Sequence, residues 1–370
     1  MSIVRAKTMD LKDIGNLTDK QKQNSRLNKE EALTNRCILK SVPQRVVLEM
    51  TSACNIRCKM CGRSAVNFKP TFFKKEWLKL LEPISDRIEE VTLLGWGEPT
   101  LHPDFTYFLK WAHERKLRKF FCTNGTKLKI LKEDIFRYEV ELLTVSLDGA
   151  TAGTNNQIRY GEDFEEITSA IREIVEEKKK KGTPYPYISI VMTLMESNYR
   201  EFPDFVRLAK DLEIQEAKGV YLTVFDEKLL EEGLYDKKIL LKEVFDKAEK
   251  IGDELGITVK LPYLQGEDIA GDKCHKDCFV GWRDLFLGSD GFVRPCMSTS
   301  QKLFHINKYS SFSEIWNSEE YQVFRSGINN EKMPKACCNC YQASFANWNR
   351  KNAFIQIGND FAPEWENNNF

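Results

Sequence analysis

Residues 45–63 read RVVLEMTSACNIRCKMCGR: an apolar run, 45–50, opens into a loop that carries Cys54, Cys58 and Cys61. The spacing is C-x3-C-x2-C, and no fourth cysteine stands close enough in the chain to complete a local set. Cysteine thiolates are the usual protein ligands of a [4Fe–4S] cube. Three thiolates on four irons leave one iron open, and an open metal position is where a small molecule binds. The competing reading is a zinc site that borrows a distant fourth ligand.

Outward from this loop the chain alternates β-like and helical stretches. The β-like runs are 45–50 (RVVLEM), 91–94 (VTLL), 119–122 (KFFC), 142–147 (LLTVSL), 187–192 (YISIVM) and 219–224 (GVYLTV). Helical segments such as 74–81, 105–115, 164–181 and 202–212 lie between them. Alternation of this kind predicts a parallel sheet wrapped by helices, and runs that are mostly apolar suit strands covered on both faces. Six βα units, 45–265, are too few to close an eight-stranded barrel, so the expected fold is α/β, an open, partial TIM-like (β/α)6 barrel. A long helix is expected over 238–255. Residues 1–44 are polar and read as an N-terminal extension or lid. Residues 266–370 turn rich in cysteine and aromatics and read as a small C-terminal domain, which the resemblance named below implies is an iron–sulfur domain. It opens on a hairpin, 282–287 and 292–295, about a Ser289-Asp290-Gly291 turn, followed by a helix near 313–328.

Composition narrows the function. The chain has 370 residues, 42% of them hydrophobic, enough for a sizeable core. Lysine plus arginine and aspartate plus glutamate each number 55, so the net charge is zero and nothing favours nucleic acid or an anionic membrane as partner. The charge run 176–181 (EEKKKK) reads as a solvated helix end. The N-terminal stretch has no apolar signal, and no window approaches the ~20 apolar residues of a membrane span. The chain is expected to be soluble and cytoplasmic. Eleven cysteines, an odd number, in a reducing compartment point to metal or redox use rather than disulfides.

Further motifs follow the β-like runs. Gly95-Trp96-Gly97-Glu98-Pro99 follows the second, Thr123-Asn124-Gly125 the third, and Ser146-Leu147-Asp148-Gly149 the fourth, with Arg159 beyond. Parallel α/β folds place their active sites at these strand ends. The TNG triplet also reads as a plain turn, since Asn and Gly tolerate left-handed backbone. His102 reads as a helix-start residue. In combination these motifs resemble those of the radical S-adenosylmethionine (SAM) enzymes, over about residues 45–340. The resemblance implies that SAM chelates the open iron of a [4Fe–4S] cluster on Cys54, Cys58 and Cys61. One electron then cleaves SAM to a 5′-deoxyadenosyl radical that removes a hydrogen atom from substrate. It implies an electron donor such as flavodoxin or ferredoxin. It also implies SAM contacts from Met60, in the place of a usual aromatic, and from Gly95, Gly97 and Glu98 of a GGEP-like motif with Trp96 in the first glycine's place. Asn124, Ser146 and Arg159 complete that set, with Arg172 as an alternative to Arg159.

A second set, Cys278, Cys296, Cys337 and Cys340, reads C-x12-G-x4-C and C-x2-C. It resembles the twitch domain, the short form of the SPASM domain, which implies one auxiliary [4Fe–4S] cluster; four cysteines on zinc is the alternative. Of the remaining thiols, Cys122 abuts the expected SAM site and Cys274 the auxiliary set, and both are candidate hydrogen-atom donors. Cys37 and Cys338 read as incidental, although Cys338 adjoins Cys337. A layout with one auxiliary cluster resembles that of aminocyclitol dehydrogenases. The first expectation is therefore oxidation or epimerisation of a small polar, sugar- or aminocyclitol-like substrate. The alternatives are a maturase that epimerises or crosslinks a ribosomally made peptide, and a non-catalytic zinc-binding protein.

Overall fold

The computed structural model of the protein describes residues 17–65, 69–235, 237–262, 264, 278–296 and 301–330. Each expected β-like run is a strand: β1 (Arg45–Glu49), then, past the two-residue β2 (Arg57–Cys58), β3 (Glu90–Leu94), β4 (Arg118–Thr123) and β5 (Leu142–Ser146). After the two-residue β6 (Arg159–Tyr160) come β7 (Tyr187–Leu194) and β8 (Glu216–Tyr221). They pair in parallel in the order β1-β3-β4-β5-β7-β8, and β9 (Thr258–Lys260) adds a further parallel strand that the sequence reading lacks. The last run starts at Glu216 rather than at residue 219, because β8 carries Glu216 and Lys218 on one of its faces and its apolar signal begins late.

Helices α2 (Phe105–Glu114), α3 (Leu128–Arg137), α4 (Ala152–Ile158), α5 (Phe164–Lys181), α6 (Phe202–Asp211) and α7 (Lys238–Leu255) lie between these strands; α1 (Asp19–Leu33) precedes them. The bounds of α5 follow from chemistry. The Asp163 carboxylate accepts from the N–H groups of Glu165 and Glu166, and Gly182, at φ 60°, ends the helix in left-handed backbone. Its buried Ile167, Ile171, Ile174 and Val175 face the sheet, each worth about 1.5–3 kcal/mol of burial. The stretch expected as a helix over 74–81 is instead a 3₁₀ turn, Lys75–Leu80, followed by a second, Glu82–Ile84, with Pro83 in its first turn.

The C-terminal part completes the same sheet. Short α8 (Val280–Arg283) leads into β10 (Asp284–Leu287), which pairs in parallel with β1 from Arg45↔Asp284 to Leu48↔Leu287. β11 (Phe292–Arg294) and β12 (Phe304–His305) continue antiparallel, so the expected hairpin forms on the free edge of the barrel sheet. The sheet has ten strands among the described residues, and a segment expected as a separate domain supplies three of them. The helix expected near 313–328 is two helices, α9 (Phe312–Trp316) and α10 (Glu319–Gly327), because the Ser318 hydroxyl caps the second by accepting from Tyr321 N–H.

Helix α1 is docked by amides rather than by an apolar stripe. Its buried Gln21 donates to Ile88 O, Asn24 pairs with Val42 N–H and O, and Asn28 donates to Ser41 and Trp282 O. Glu31 accepts from the N–H groups of Lys40 and Ser41. These partners sit just ahead of β1, β3 and β10, at the end of the sheet opposite the cysteine loop, so α1 is a floor and not a lid.

Candidate active site

At the carboxyl end of β1 the chain leaves the sheet as the loop of Cys54, Cys58 and Cys61, all partly buried. The loop is held by its own backbone and by β6. Cys61 N–H donates to Cys58 O at 3.2 Å, and β2 pairs antiparallel with β6, placing Cys58 opposite Arg159. Burial pushes the Cys58 thiol up to about 12, against the pull of Arg159, and burial also raises Cys61. The three thiols sense one another electrostatically, Cys58 with Cys61 and Cys61 with Cys54. Thiols this buried ionise only against strong positive charge, which coordinated iron supplies. The donor set therefore fits the cluster. Among the described residues no three His, Cys, Asp or Glu side chains converge as a single-ion site; a cube differs in taking each thiolate on its own iron.

The neighbouring strand ends close on this loop. In the GWGEP turn after β3, a Cβ on Gly97 would stand 2.2 Å from Ala53 O and 2.5 Å from Thr51 O, so only glycine permits this approach. Gly97 N–H donates to Thr51 O and Glu98 N–H to Ala53 O. Trp96, which replaces a glycine of the GGEP-like motif, finds room because Gly62 lies beneath it. A Cβ there would meet Trp96 and Phe225 within 3.0 Å, and the two rings stand edge to face at 5.6 Å.

Glu98 is buried, which raises its pKa, and its carboxylate is occupied. It accepts from Thr100 N–H and hydroxyl, Thr123 hydroxyl and Asn124 N–H, the last at 2.6 Å. It thereby ties the end of β3 to the end of β4. Asn124 in turn donates to Asn55 at 2.9 Å and to the Cys54 sulfur at 3.8 Å. The TNG triplet is thus more than a turn, since it touches the first cysteine.

Arg159 is buried, not a surface residue. Its Nη1 donates to Asp148 at 2.8 Å and its Nε to both oxygens of Glu162 at 2.9 and 2.8 Å. Burial works against its charge, but Cys58, Asp148 and Glu162 outweigh that and keep it protonated. Asp148 also accepts from Thr193 N–H, and Asn155 bridges Asp148 N–H to Glu162. Arg172 lies elsewhere, donating to Asp211 O at the outer helices. Met60 packs with Ile158, Met195, Leu222, Val224 and Leu229 in a small apolar cluster beside Cys58. Cys122 and Ser146 face each other on adjacent strands, Sγ to Oγ 3.5 Å. His102 starts α2 as expected, its Nδ1 accepting from Asp104 N–H.

One group escaped the sequence reading. Glu49, buried at the end of β1, accepts from Trp96 N–H and from both the N–H and the hydroxyl of Ser289. Ser289 also bonds Thr71, whose hydroxyl meets Ser52. A glutamate closing an apolar strand run carried no motif, and its partners lie 47 and 240 residues away. Of the auxiliary set, Cys278 is fixed by Asn329, which pairs with both its N–H and its O, and Cys296 follows β11. Cys274, Cys337 and Cys340 lie outside the described residues.

This arrangement, thiols and glycine-lined turns gathered at the carboxyl ends of an open parallel sheet, is that of a radical SAM enzyme. Residues 48–209 match the radical SAM superfamily and residues 278–341 the SPASM iron–sulfur cluster-binding domain. The chain carries both domains, and with them the requirement for SAM and two [4Fe–4S] clusters. It is 27% identical over 328 residues to the tungsten-containing aldehyde ferredoxin oxidoreductase cofactor-modifying protein of Pyrococcus furiosus, spanning 79% of this chain and 86% of that one. It is 25% identical over 344 residues to the AdoMet-dependent heme synthase of Methanosarcina barkeri, spanning 88% and 95%. With the mycofactocin maturase MftC of Mycobacterium ulcerans it shares 28% identity over 166 residues, 44% and 42% of the two chains. In fold it is similar to SuiB of Streptococcus suis bound to SAM, with TM-score 0.65 and 17% identity over 88% of this chain and 78% of that one. A second SuiB structure, bound to the precursor peptide SuiA, gives TM-score 0.60 and 16% identity over 88% and 74%. Among the described residues no helix is long and apolar enough to cross a membrane.

Proposed function

We propose that this chain is a maturase that uses radical SAM chemistry to epimerise or crosslink a ribosomally made peptide. This replaces the sugar- or aminocyclitol-like substrate as the leading reading. The observation that carries it is the kinship with a maturase, MftC, joined to a shared fold with a protein that holds a precursor peptide.

Cys54, Cys58 and Cys61 hold the first cluster in this reading, and Cys278, Cys296, Cys337 and Cys340 the auxiliary one. When bound, the reduced cluster and SAM supply a carbon radical able to remove a hydrogen atom from substrate. The chain's own residues do the placing. Gly95 and Gly97 offer main-chain groups at the cluster's edge, Glu98 fixes the turn that bears them, and Met60 walls the cofactor from water. Arg159, steadied by Asp148 and Glu162, puts its positive charge toward the SAM carboxylate, with Ser146 beside it. Cys122, whose pKa burial raises, keeps its S–H and can return a hydrogen atom to a substrate radical.

Incubating the anaerobic, reduced holoenzyme with SAM and precursor peptides encoded near its gene tests this by mass spectrometry. Loss of two hydrogens marks a crosslink, and deuterium taken up from D2O at one carbon marks epimerisation through an exchangeable thiol. Unmodified peptides under conditions that turn over SAM would remove the proposal. A second reading, a small non-peptide substrate, draws on the two relatives aligned over most of their length, named for a cofactor and for heme.

A further inference from the structure

At the amino ends of the strands, away from the cysteine loop, lies a cleft of about 400 Å3 that none of the chemistry above uses. It runs along the joint between the barrel and the C-terminal elements. Residues 39–42, which lead into β1, and the turns over 79–87, ahead of β3, form one side; residues 310–317, about α9, form the other. Such joints, at volumes of about 300–1,000 Å3, are where ligands bind. The walls are already fixed. Trp316 Nε1 donates to Ser41 O at 3.1 Å, and the Asn317 side chain bonds both N–H and O of Leu39. The Arg325 guanidinium backs the Trp316 ring at 4.5 Å.

The lining has two chemistries. Leu80, Ile84 and Trp316 give it an apolar floor, and Lys40, Lys79 and Arg87 stand around that floor. Among the described residues no carboxylate lines the cleft. The carboxylates nearby are engaged. Asp86 is bonded by Lys20 and comes only within 3.9 Å of Arg87 Nε. Glu82 is held by Trp111 and Arg115, Glu31 by the N–H groups of Lys40 and Ser41, and Glu314 by Ser310 and Ser311. Lys40 and Lys79 make no ion pair among the described residues. Three cations around an apolar floor are complementary to a partner that carries carboxylates beside apolar groups. Lys40, Lys79, Ser310 and Ser313 are exposed, so the cleft is open along one side, which suits an extended chain better than an enclosed small molecule.

We infer that this cleft docks an acidic, apolar segment of the peptide substrate, outside the part that is modified. This rests on the peptide reading above and adds where the peptide is recognised. The five residues of β1 separate the cleft from the cysteine loop. At about 3.3 Å per residue they span about 16 Å. The docked segment and the reacting residue are therefore at least about five residues apart in the peptide.

Fluorescence anisotropy on the anaerobic, SAM-loaded holoenzyme tests this with three fluorescein-labelled probes: four Glu-Leu repeats, four Gln-Leu repeats and four Glu-Ser repeats. Saturable binding of the Glu-Leu peptide is expected, weaker for the other two, and falling as salt is raised. Exposed ion pairs are individually weak, so Lys79→Met alone should loosen binding about threefold, and Lys40→Met, Lys79→Met and Arg87→Met together about thirtyfold. Circular dichroism and urea midpoints confirm folding, and Lys250→Met on α7 serves as a surface control. Without peptide, the triple variant should form 5′-deoxyadenosine as the wild type does; with a precursor peptide that is modified, its KM should rise and its kcat hold. Equal binding of either other peptide, undiminished binding to the triple variant, an unchanged KM, or no saturable Glu-Leu binding would each overturn the docking site. So would a dimer in sedimentation that the triple variant abolishes, since a second copy would then fill the cleft. Modification of precursor peptides by the wild type is scored separately by mass spectrometry. Its failure beside the expected Glu-Leu binding removes the maturase reading and leaves the cleft a site for acidic peptides.

Discussion

Arg159 holds its charge between Asp148 and Glu162, with Cys58 across the β2–β6 pair. Its value lies in what its removal would strand. Arg159→Met leaves two buried carboxylates without their cation, and breaking a buried pair by taking one partner costs about 3–5 kcal/mol. An unfolding free energy lowered by that amount in urea titrations, partly recovered in Arg159→Lys, is the expected outcome; an unchanged value would mean the three charges are not coupled. With Cys54 as a cluster ligand, as proposed, Asn124 also bears on the cluster. Its amide donates to Cys54 sulfur, and hydrogen bonds to cluster sulfurs are one lever on reduction potential. A hydrogen bond worth about 0.5–1.5 kcal/mol corresponds to about 20–60 mV for one electron. Asn124→Ala should therefore move the first cluster's midpoint negative by about that amount in a redox titration followed by electron paramagnetic resonance, with the auxiliary cluster unmoved.

Strand β10 joins the sheet through Asp284, which faces Arg45 across the ladder and is also bonded by Arg283. Burial alone would raise this carboxyl, but Arg283 and Arg45 together hold it well below the usual range. A carboxyl lowered in the folded state contributes stability that is complete above its unfolded pKa of about 3.9 and is lost as pH falls below that. Wild-type stability should drop steeply on acidification below about pH 4, and Asp284→Asn should flatten that drop. At neutral pH the variant should lose about 2 kcal/mol, less than for a wholly buried pair because both arginines keep contact with water. Urea melts at pH 7 and pH 3 measure both effects, and parallel pH slopes would contradict the assignment. This joint also marks where the sequence stopped being legible. The runs after Gln44 announced their strands because period and apolarity are local, and the stretch 164–181 read as a helix for the same reason. The pairing of β10 with β1 is not local, and nothing in Asp284 or Arg45 alone names the other. Helix α1 misread for a different reason: its Gln21, Asn24 and Asn28 bury amides against backbone groups, and an amide in a sequence looks like a solvated residue.

Across the whole molecule, the two iron–sulfur regions meet through a hydrogen-bonded seam. Glu49 reaches from the end of β1 to Trp96 in one direction and to Ser289, at the hairpin turn of the C-terminal strands, in the other. Thr71 and Ser52 extend the seam to the cysteine loop itself. Cysteine ligation takes no part in these bonds, and β10 is paired to β1 through its backbone irrespective of the auxiliary cluster. The two clusters should therefore be separable. Wild-type protein purified without oxygen should hold about eight iron atoms per chain, two cubes' worth. Cys278→Ala with Cys296→Ala should lose about half of that iron and still form 5′-deoxyadenosine from SAM, because the first cluster and its turns keep their supports. Replacing Cys54, Cys58 and Cys61 by alanine should lose the other half and all 5′-deoxyadenosine. Iron analysis beside product chromatography distinguishes the two outcomes. If the auxiliary variants also lost the first cluster, the seam would depend on the metal it lies beside, and Glu49→Gln would then be expected to empty the auxiliary site as well.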